Sequence, residues 1–330
     1  MHKTFDKKKF LSQNSIWLVL IAMVIIMGVA QPSFFTVNNL LTLLSGEAVK
    51  GILAFGVMFA ILSKGIDLTI GASAGLVACI TASLVQPADY ANAVFPGLGT
   101  LPAPLVILIG LAIGAGIGAI YGAIIAYTKI PPFIATLAMM MVARGLALII
   151  SDKASISIAN PGYKYIASGM PIPYVANAVI IFVVLTVLAT FLMNKTLLGR
   201  YALAIGSNEE ATRLSGVNVR LWKIIIYVVA GAFMAIGAIL YSARNGLVQP
   251  AEGVGMELNV IAAAVIGGTS LSGGRASIPG ALVGAILMET LKKGLTMMSI
   301  AAEWQFVVTG IVLLLAVVID NLRRIRENAA

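Results

Sequence analysis

Six ionisable residues stand within or beside long apolar runs: Glu47, Asp67, Arg144, Glu257, Glu289 and Glu303. A charge at bilayer depth is costly and normally faces a water-filled path or a partner, so these positions are where solute contact or chemistry would be sought. No pair of carboxylates has a spacing that suggests a proton relay, which argues for an external energy source. Asp67 follows Gly65 and reads first as the cap of a following helix, since a short carboxylate accepts the free N–H groups of a first turn; a gate is the second reading. Arg144 is the expected internal ion-pair partner of an acid. Glu257 opens an apolar run at the outer mouth, either in headgroups or facing a pore. His2 is the sole histidine and Cys79 the sole cysteine, which excludes imidazole catalysis, an imidazole metal site and an intrachain disulfide. Cys79 lies in an apolar run and reads as a buried thiol. No residue is expected to be catalytic and no metal or cofactor is expected in this chain.

Two polar stretches carry further signals. Leu271-Ser272-Gly273-Gly274-Arg275 reads almost like the signature of a transport ATPase. No G-x-x-x-x-G-K-[ST] phosphate loop accompanies it, and it lies between two apolar runs, so it is assigned to a glycine turn. The island 194–223 holds Lys195, Arg200, Arg213, Arg220 and Lys223 beside Glu209 and Glu210. Ser207 and Glu210 have the S-x-x-E spacing of a capping box, and Gly216 follows where a left-handed glycine ends a helix. The pattern predicts a water-exposed helix over 208–214. So short a helix is marginal alone; either a groove on a soluble partner holds it or it is an ordinary linker, and the pattern leaves both open.

The elements that must position these residues are apolar. The chain is 60% hydrophobic and 11% charged, with mean hydropathy +1.01, against roughly a quarter charged in soluble domains. The expected fold is an all-α, polytopic membrane helical bundle. The net charge of +9 points to cytoplasmic loops and anionic headgroups rather than nucleic acid. Ten spans are expected, at 16–30, 51–63, 72–85, 105–127, 133–150, 174–193, 221–243, 260–266, 278–291 and 304–319. The second follows an apolar stretch broken at Gly46-Glu47 and Lys50, and Lys292-Lys293-Gly294 marks the end of the ninth. The run 260–266 is too short for a ~30 Å core, so it must draw on 256–259 or be broken. Gly110, Gly114, Gly116, Gly118 and Gly122 give small-x-x-x-small spacing for close helix packing in one bundle, with a dimer face as the second reading. Lys7, Lys8 and Lys9 place the N-terminus in the cytoplasm, and ten spans return the C-terminus there. Lys50, Lys153, Lys164, Arg244, Lys292 and Lys293 fall on or near the outer side. The expected layout is an N-terminal segment 1–15, one membrane domain 16–320 with the island as its cytoplasmic loop, and a tail 321–330.

The chain resembles the membrane permeases of ribose/galactose-type ABC importers. The resemblance is carried in order by Asn38-Asn39-Leu40, Gly65-Ile66-Asp67-Leu68-Thr69-Ile70-Gly71, Pro132-Phe133-Ile134-Ala135-Thr136-Leu137, Arg144-Gly145, Gly199-Arg200-Tyr201, the run 204–218, Glu257-Leu258-Asn259 and Gly267-Gly268-Thr269-Ser270. Asn259 departs from the family pattern, which usually has Asp there. The resemblance implies a vitamin-B12-importer-like arrangement in a bacterial cytoplasmic (inner) membrane. It also implies a second permease copy, identical or paired, and a periplasmic sugar-binding protein. A cytoplasmic ABC ATPase, commonly with two fused nucleotide domains, would carry the ATP and magnesium. By similarity the ATPase-coupling residues are Ala204, Gly206, Ser207, Asn208, Glu209, Glu210, Ala211, Arg213 and Gly216. Pathway or gate residues are expected among Asp67, Thr136, Arg144, Glu257, Asn259, Thr269 and Ser270, and docking of the binding protein at Lys153, Lys164 and Arg244. The implied function is translocation in ATP-driven import of a ribose-, galactose- or allose-class sugar. Its alternatives are the same machine for a nucleoside or sugar-derived signal, a branched-chain amino-acid permease, a stand-alone secondary carrier, or a membrane scaffold.

Overall fold

Apolar runs broken by Gly, Pro and Asn become helices with those residues at their ends. The structure, a computed structural model, describes residues 15–90 and 93–329. In order it holds α1 (Ser15–Ala30), a 3-10 turn (Pro32–Phe35), α2 (Val37–Leu62), α3 (Ile70–Ser83), α4 (Ala103–Thr128) and α5 (Pro132–Ile150). After these come β1 (Ile156–Ser157), α6 (Pro161–Ser168), α7 (Asn177–Lys195), α8 (Leu197–Ser207) and α9 (Glu209–Leu214). The chain ends with α10 (Val219–Asn245), β2 (Leu247–Val248), α11 (Met256–Ile266), α12 (Ile278–Met297) and α13 (Ala302–Ala329). Prolines open α5, α6 and α12, where a missing N–H costs nothing. Asn218 and Ser277 side chains cap α10 and α12. Among the described residues, α2, α4, α5, α7 and α10 are long and apolar enough to cross a membrane.

The core is built on α2 and α10. α2 is buried along most of its length. Phe55 stacks on Phe182 of α7 with ring centroids 5.7 Å apart, and Phe59 stacks on Phe233 of α10 at 6.1 Å. Both long helices are followed by non-helical backbone and then a short helix: 63–69 leads into α3, and 246–255 into α11. α2 ends where Leu62 accepts from the Gly274 amide at 3.0 Å. At the opposite face, α10 ends beside the antiparallel β1–β2 pair. The two returning limbs therefore enter from opposite faces. They meet where Gly71 and Gly253 lie so close that a β-carbon on either would strike the other's carbonyl. The eleven residues of α11 rise only about 16 Å, half of a ~30 Å core. α11 is followed by the Gly268–Gly274 turn, where Gly268, Gly273 and Gly274 all have positive φ.

Several expectations change. α2 runs without a break through Gly46, Glu47 and Lys50, beginning fourteen residues earlier than 51, because those charges are sheltered against α12 rather than released to water. α12 likewise continues past Lys292-Lys293-Gly294 to Met297. The short run 260–266 draws on 256–259, as expected. The loop 151–173 contains β1 and α6. α13 runs unbroken through the expected tail boundary at 320. The expected segment 1–15 lies outside the described residues but for Ser15.

Four glycines of α4 face α10: Gly114 meets the Gly231 carbonyl, Gly118 the Tyr227 carbonyl, and Gly110 and Gly122 meet Ile239 and Tyr227 side chains. Gly116 faces open space. Close approach thus serves packing within the bundle. Gly231→Ala, whose methyl would meet the Gly114 carbonyl, should lower stability by about 1–3 kcal/mol in detergent unfolding. Gly116→Ala should hold level or gain up to about 1 kcal/mol from helix propensity.

Candidate functional site

The island folds as two helices meeting at a sharp corner. α8 ends at Ser207; Asn208 takes the extended backbone of an N-cap (φ −153°), and its Oδ1 accepts from the Ala211 amide at 3.0 Å. The expected capping box does not form. Ser207 is still helical and its hydroxyl donates to the Leu203 carbonyl at 2.9 Å, while Glu210 turns to Arg213, which donates to it at 3.0 and 2.5 Å. Asn208, one residue on, has the geometry to cap, so it displaces Ser207. Ala204, Gly206 and Ser207 accordingly belong to α8, and the helix expected over 208–214 spans Glu209–Leu214. Arg213 holds the Glu210 carboxyl below the usual carboxylate range through this hydrogen bond, so the pair is intact at neutral pH and opens only as pH falls through that lowered value. Lys223 Nζ donates to both Glu209 oxygens at 2.8 Å. Of α9 only Thr212 is buried. Gly216 (φ +83°) turns the chain left-handed after it.

Gly206 ties this corner to the membrane helices. A β-carbon there would strike the Leu62 carbonyl and come within 2.7 Å of the Gly274 amide nitrogen. Lys64 Nζ donates to the Ser207 carbonyl at 3.3 Å. The end of α8, the end of α2 and the glycine turn after α11 therefore form one junction.

Of the expected pathway residues Asp67 lies on a returning limb, Thr136 and Arg144 on α5, Glu257 and Asn259 in α11, and Thr269 and Ser270 in the turn after it. Asp67 is buried; its Oδ1 accepts from the Thr69 amide (2.9 Å) and hydroxyl (2.7 Å), and its Oδ2 from the Tyr121 hydroxyl (2.5 Å). It therefore fixes the approach to α3 rather than capping that helix, whose N-cap is Thr69. Thr136 donates to the Ile66 carbonyl at 3.0 Å. Among the described residues Arg144 pairs with no acid side chain: its Nη1 donates to the Glu252 backbone carbonyl at 2.6 Å, since the backbone of the second limb reaches it first. Glu257 lies in the first turn of α11, with Oε1 accepting from the Gly255 amide at 3.2 Å and Oε2 against Gly71. Asn259 donates to the Gly255 carbonyl at 3.1 Å. Thr269 and Ser270 are buried in the glycine turn.

A second polar group was legible only in part. Lys50 on α2 is paired with Glu289 on α12. Glu47, one turn away, is 1% exposed and neither carboxylate oxygen has a partner among the described residues. Lys292, Asn259 and Thr309 complete the walls of a cavity of about 20 Å³, room for one water. Lys50 is thus half-buried against α12, while Lys292 is exposed at the edge of this cavity. Arg244 is also drawn in: its guanidinium lies against Gly46, beside Glu289, because α10 carries it to that level in its last turn. Of the expected docking residues Lys153 is exposed, and Lys164 lies along the turn at Gly246.

The family model described as branched-chain amino acid transport system / permease component matches residues 39–317. A galactose/methyl galactoside import permease protein of Escherichia coli (strain K12) is 38% identical, covering 98% of this chain and 99% of its own. A ribose import permease protein of the same strain is 36% identical over 96% of each. A ribose import permease protein of Bacillus subtilis (strain 168) is 39% identical over 92% of this chain and 91% of its own. No solved structure matches the chain.

Two substitutions test the geometry. Thr136→Val keeps the shape but leaves the Ile66 carbonyl without its donor, and should cost about 1–3 kcal/mol in unfolding measurements. Glu289→Met strands the Lys50 ammonium inside the bundle and should cost about 3 kcal/mol. The triple change E47L/K50M/E289M should recover most of that loss, because apolar side chains then replace the half-buried pair and the buried Glu47 carboxyl beside it.

Proposed function

The chain belongs to the permease family of its matching model, and from that premise we propose that it is the translocation subunit of an ATP-driven, binding-protein-dependent monosaccharide importer. The observation that carries this is similarity over nearly the full length of ribose and galactose import permeases. The family description is worded for amino acids, while these full-length relatives are named for sugars, and the sugar reading follows them. The chain performs no catalysis; hydrolysis belongs to a separate cytoplasmic ATPase, with two fused nucleotide domains as the form the resemblance implies. A second permease copy and a periplasmic sugar-binding protein complete the assembly.

On this reading all ten apolar helices, α1, α2, α3, α4, α5, α7, α10, α11, α12 and α13, contribute spans, with α3 and α11 entering part-way, in the vitamin-B12-importer-like arrangement. The face carrying α9 is cytoplasmic, as are both termini, and the membrane is the bacterial inner membrane. α9 is the coupling helix: it is exposed on almost every residue, and Gly206 links its neighbour α8 to α2 and the glycine turn. The coupling residues keep the set Ala204, Gly206, Ser207, Asn208, Glu209, Glu210, Ala211, Arg213 and Gly216. Asp67, Thr136 and Arg144 act by holding the limbs, and Glu257, Asn259, Thr269 and Ser270 border the moving part. Lys153 and Lys164 remain as docking contacts for the binding protein, without Arg244. ATP state and affinity for the binding protein are then reciprocally coupled.

Reconstitution with the ATPase and binding protein tests the reading: sugar uptake must need both and ATP, and uptake by this chain alone would overturn it. Ala211→Trp, on the exposed side of α9, should leave ATP hydrolysis running while uptake falls at least about tenfold. Unchanged uptake would make α9 a linker.

A further inference from the structure

Between α9 and the ends of α4 and α10 lies a cavity of about 670 Å³, on the bundle side of the hairpin and distinct from the small polar cavity among α2, α11 and α12. Its walls carry Lys64, Lys129, Arg213, Arg220 and Lys223 against Glu209 and Glu210. Both acids are already committed, Glu209 to Lys223 and Glu210 to Arg213. Five cations face two acids around one hollow, so three positive charges are in excess. Among the described residues Lys64 reaches a backbone carbonyl, Lys129 makes no hydrogen bond or ion pair although Glu210 feels its charge, and Arg220 stacks over the Tyr127 ring at 5.6 Å. Cations in excess around one hollow repel one another unless an anion joins them.

We propose that this cavity binds a phosphate group, with Lys129 and Arg220 as its principal contacts. Arg offers a planar fork matched to phosphate oxygens and Lys a point charge. The volume is in the range of small-molecule sites and exceeds what a bare phosphate fills, so the phosphate arrives attached to something. Ile125, Ile130 and Pro131 supply an apolar wall, and Tyr127 and Phe133 beside it are exposed. That combination, a basic hollow between helix ends at one face of the bundle, suits an anionic lipid headgroup; a free sugar phosphate presents the same chemistry. The inference does not depend on which solute the permease carries.

Native mass spectrometry of the full chain in detergent tests it, with phosphatidylglycerol, cardiolipin, phosphatidylcholine, inorganic phosphate and glucose 6-phosphate titrated separately. At least one anionic probe should bind, and K129Q/R220Q should weaken it about tenfold or more, while K129R/R220K keeps most of the binding. Sensitivity confined to phosphatidylglycerol or cardiolipin assigns the phosphate to lipid; sensitivity to inorganic phosphate or glucose 6-phosphate assigns it to a free ligand. Both side chains are exposed, so the melting temperature of the ligand-free double variant should match the parent. K195Q/R200Q, which removes the same charge from exposed positions outside the cavity, should leave binding unchanged. Equal binding by parent and K129Q/R220Q, or equal loss in K195Q/R200Q, overturns the site.

Discussion

Backbone that is not helical cannot lie at bilayer depth unless protein groups satisfy its N–H and C=O, and this requirement governs the centre of the molecule. Both returning limbs, 63–69 and 246–255, carry such backbone. Asp67 closes on the Thr69 amide, Thr136 on the Ile66 carbonyl, and Arg144 on the Glu252 carbonyl. α4 supplies Tyr121 to the far oxygen of Asp67, and α5 supplies both Thr136 and Arg144. Helices α4 and α5 therefore act as brackets for the limbs, and the polar residues on them are scaffold before they are anything else. The glycines follow from the same constraint, since only Gly71 and Gly253 let the two limb tips touch backbone to backbone.

The corner at Asn208 shows how a six-residue helix persists with almost no buried surface. α9 is too short to nucleate itself. It is held by an Asn cap, a bidentate pair within its own turn, and Lys223 reaching back to Glu209 from the first turns of α10. Such exposed pairs contribute little stability; their effect is to fix orientation. The firm attachment is at Gly206, where α8 meets the Leu62 carbonyl without a side chain between them. An exposed face on α9 and a backbone-to-backbone seat just behind it form a surface that a partner can push.

How much of this was legible depended on whether the signal was local. Apolar runs marked the long helices α2, α4, α5, α7 and α10, and the shortness of 260–266 announced that it must draw on 256–259 or be broken. Gly110, Gly114, Gly118 and Gly122 announced a close crossing. Interactions across long separations were invisible. Lys50 and Glu289 are 239 residues apart, so each alone reads as a break or a boundary, and α2 was divided where it is continuous. Arg144 pointed toward an acid because charge suggests charge, and nothing in a sequence shows a backbone carbonyl in the way. The capping-box spacing at Ser207 was real, but Asn208 beside it competes for the same role, and only backbone angles decide between them.

The continuity of α2 is what connects the two polar regions. Glu47-x-x-Lys50 descends on α2 while Glu289-x-x-Lys292 ascends on α12, so Lys50 stands level with Glu289 and Glu47 level with Lys292. The first rung is closed and Glu47 lacks a partner. From Leu62, at the Gly206 seat, to Lys50 is about 18 Å of unbroken helix. On the proposed function, a displacement at α9 and α8 reaches Leu62 directly and is carried by a rigid element to this ladder. The α11–α12 contact nearer the hairpin is tight, with Gly284 on the Ala263 carbonyl and Gly280 on the Gly267 carbonyl, leaving little room to slide there. On the same proposal, the polar end of the α2–α12 contact is where movement would open space, and it is lined by carboxylate, ammonium and amide groups able to meet sugar hydroxyls.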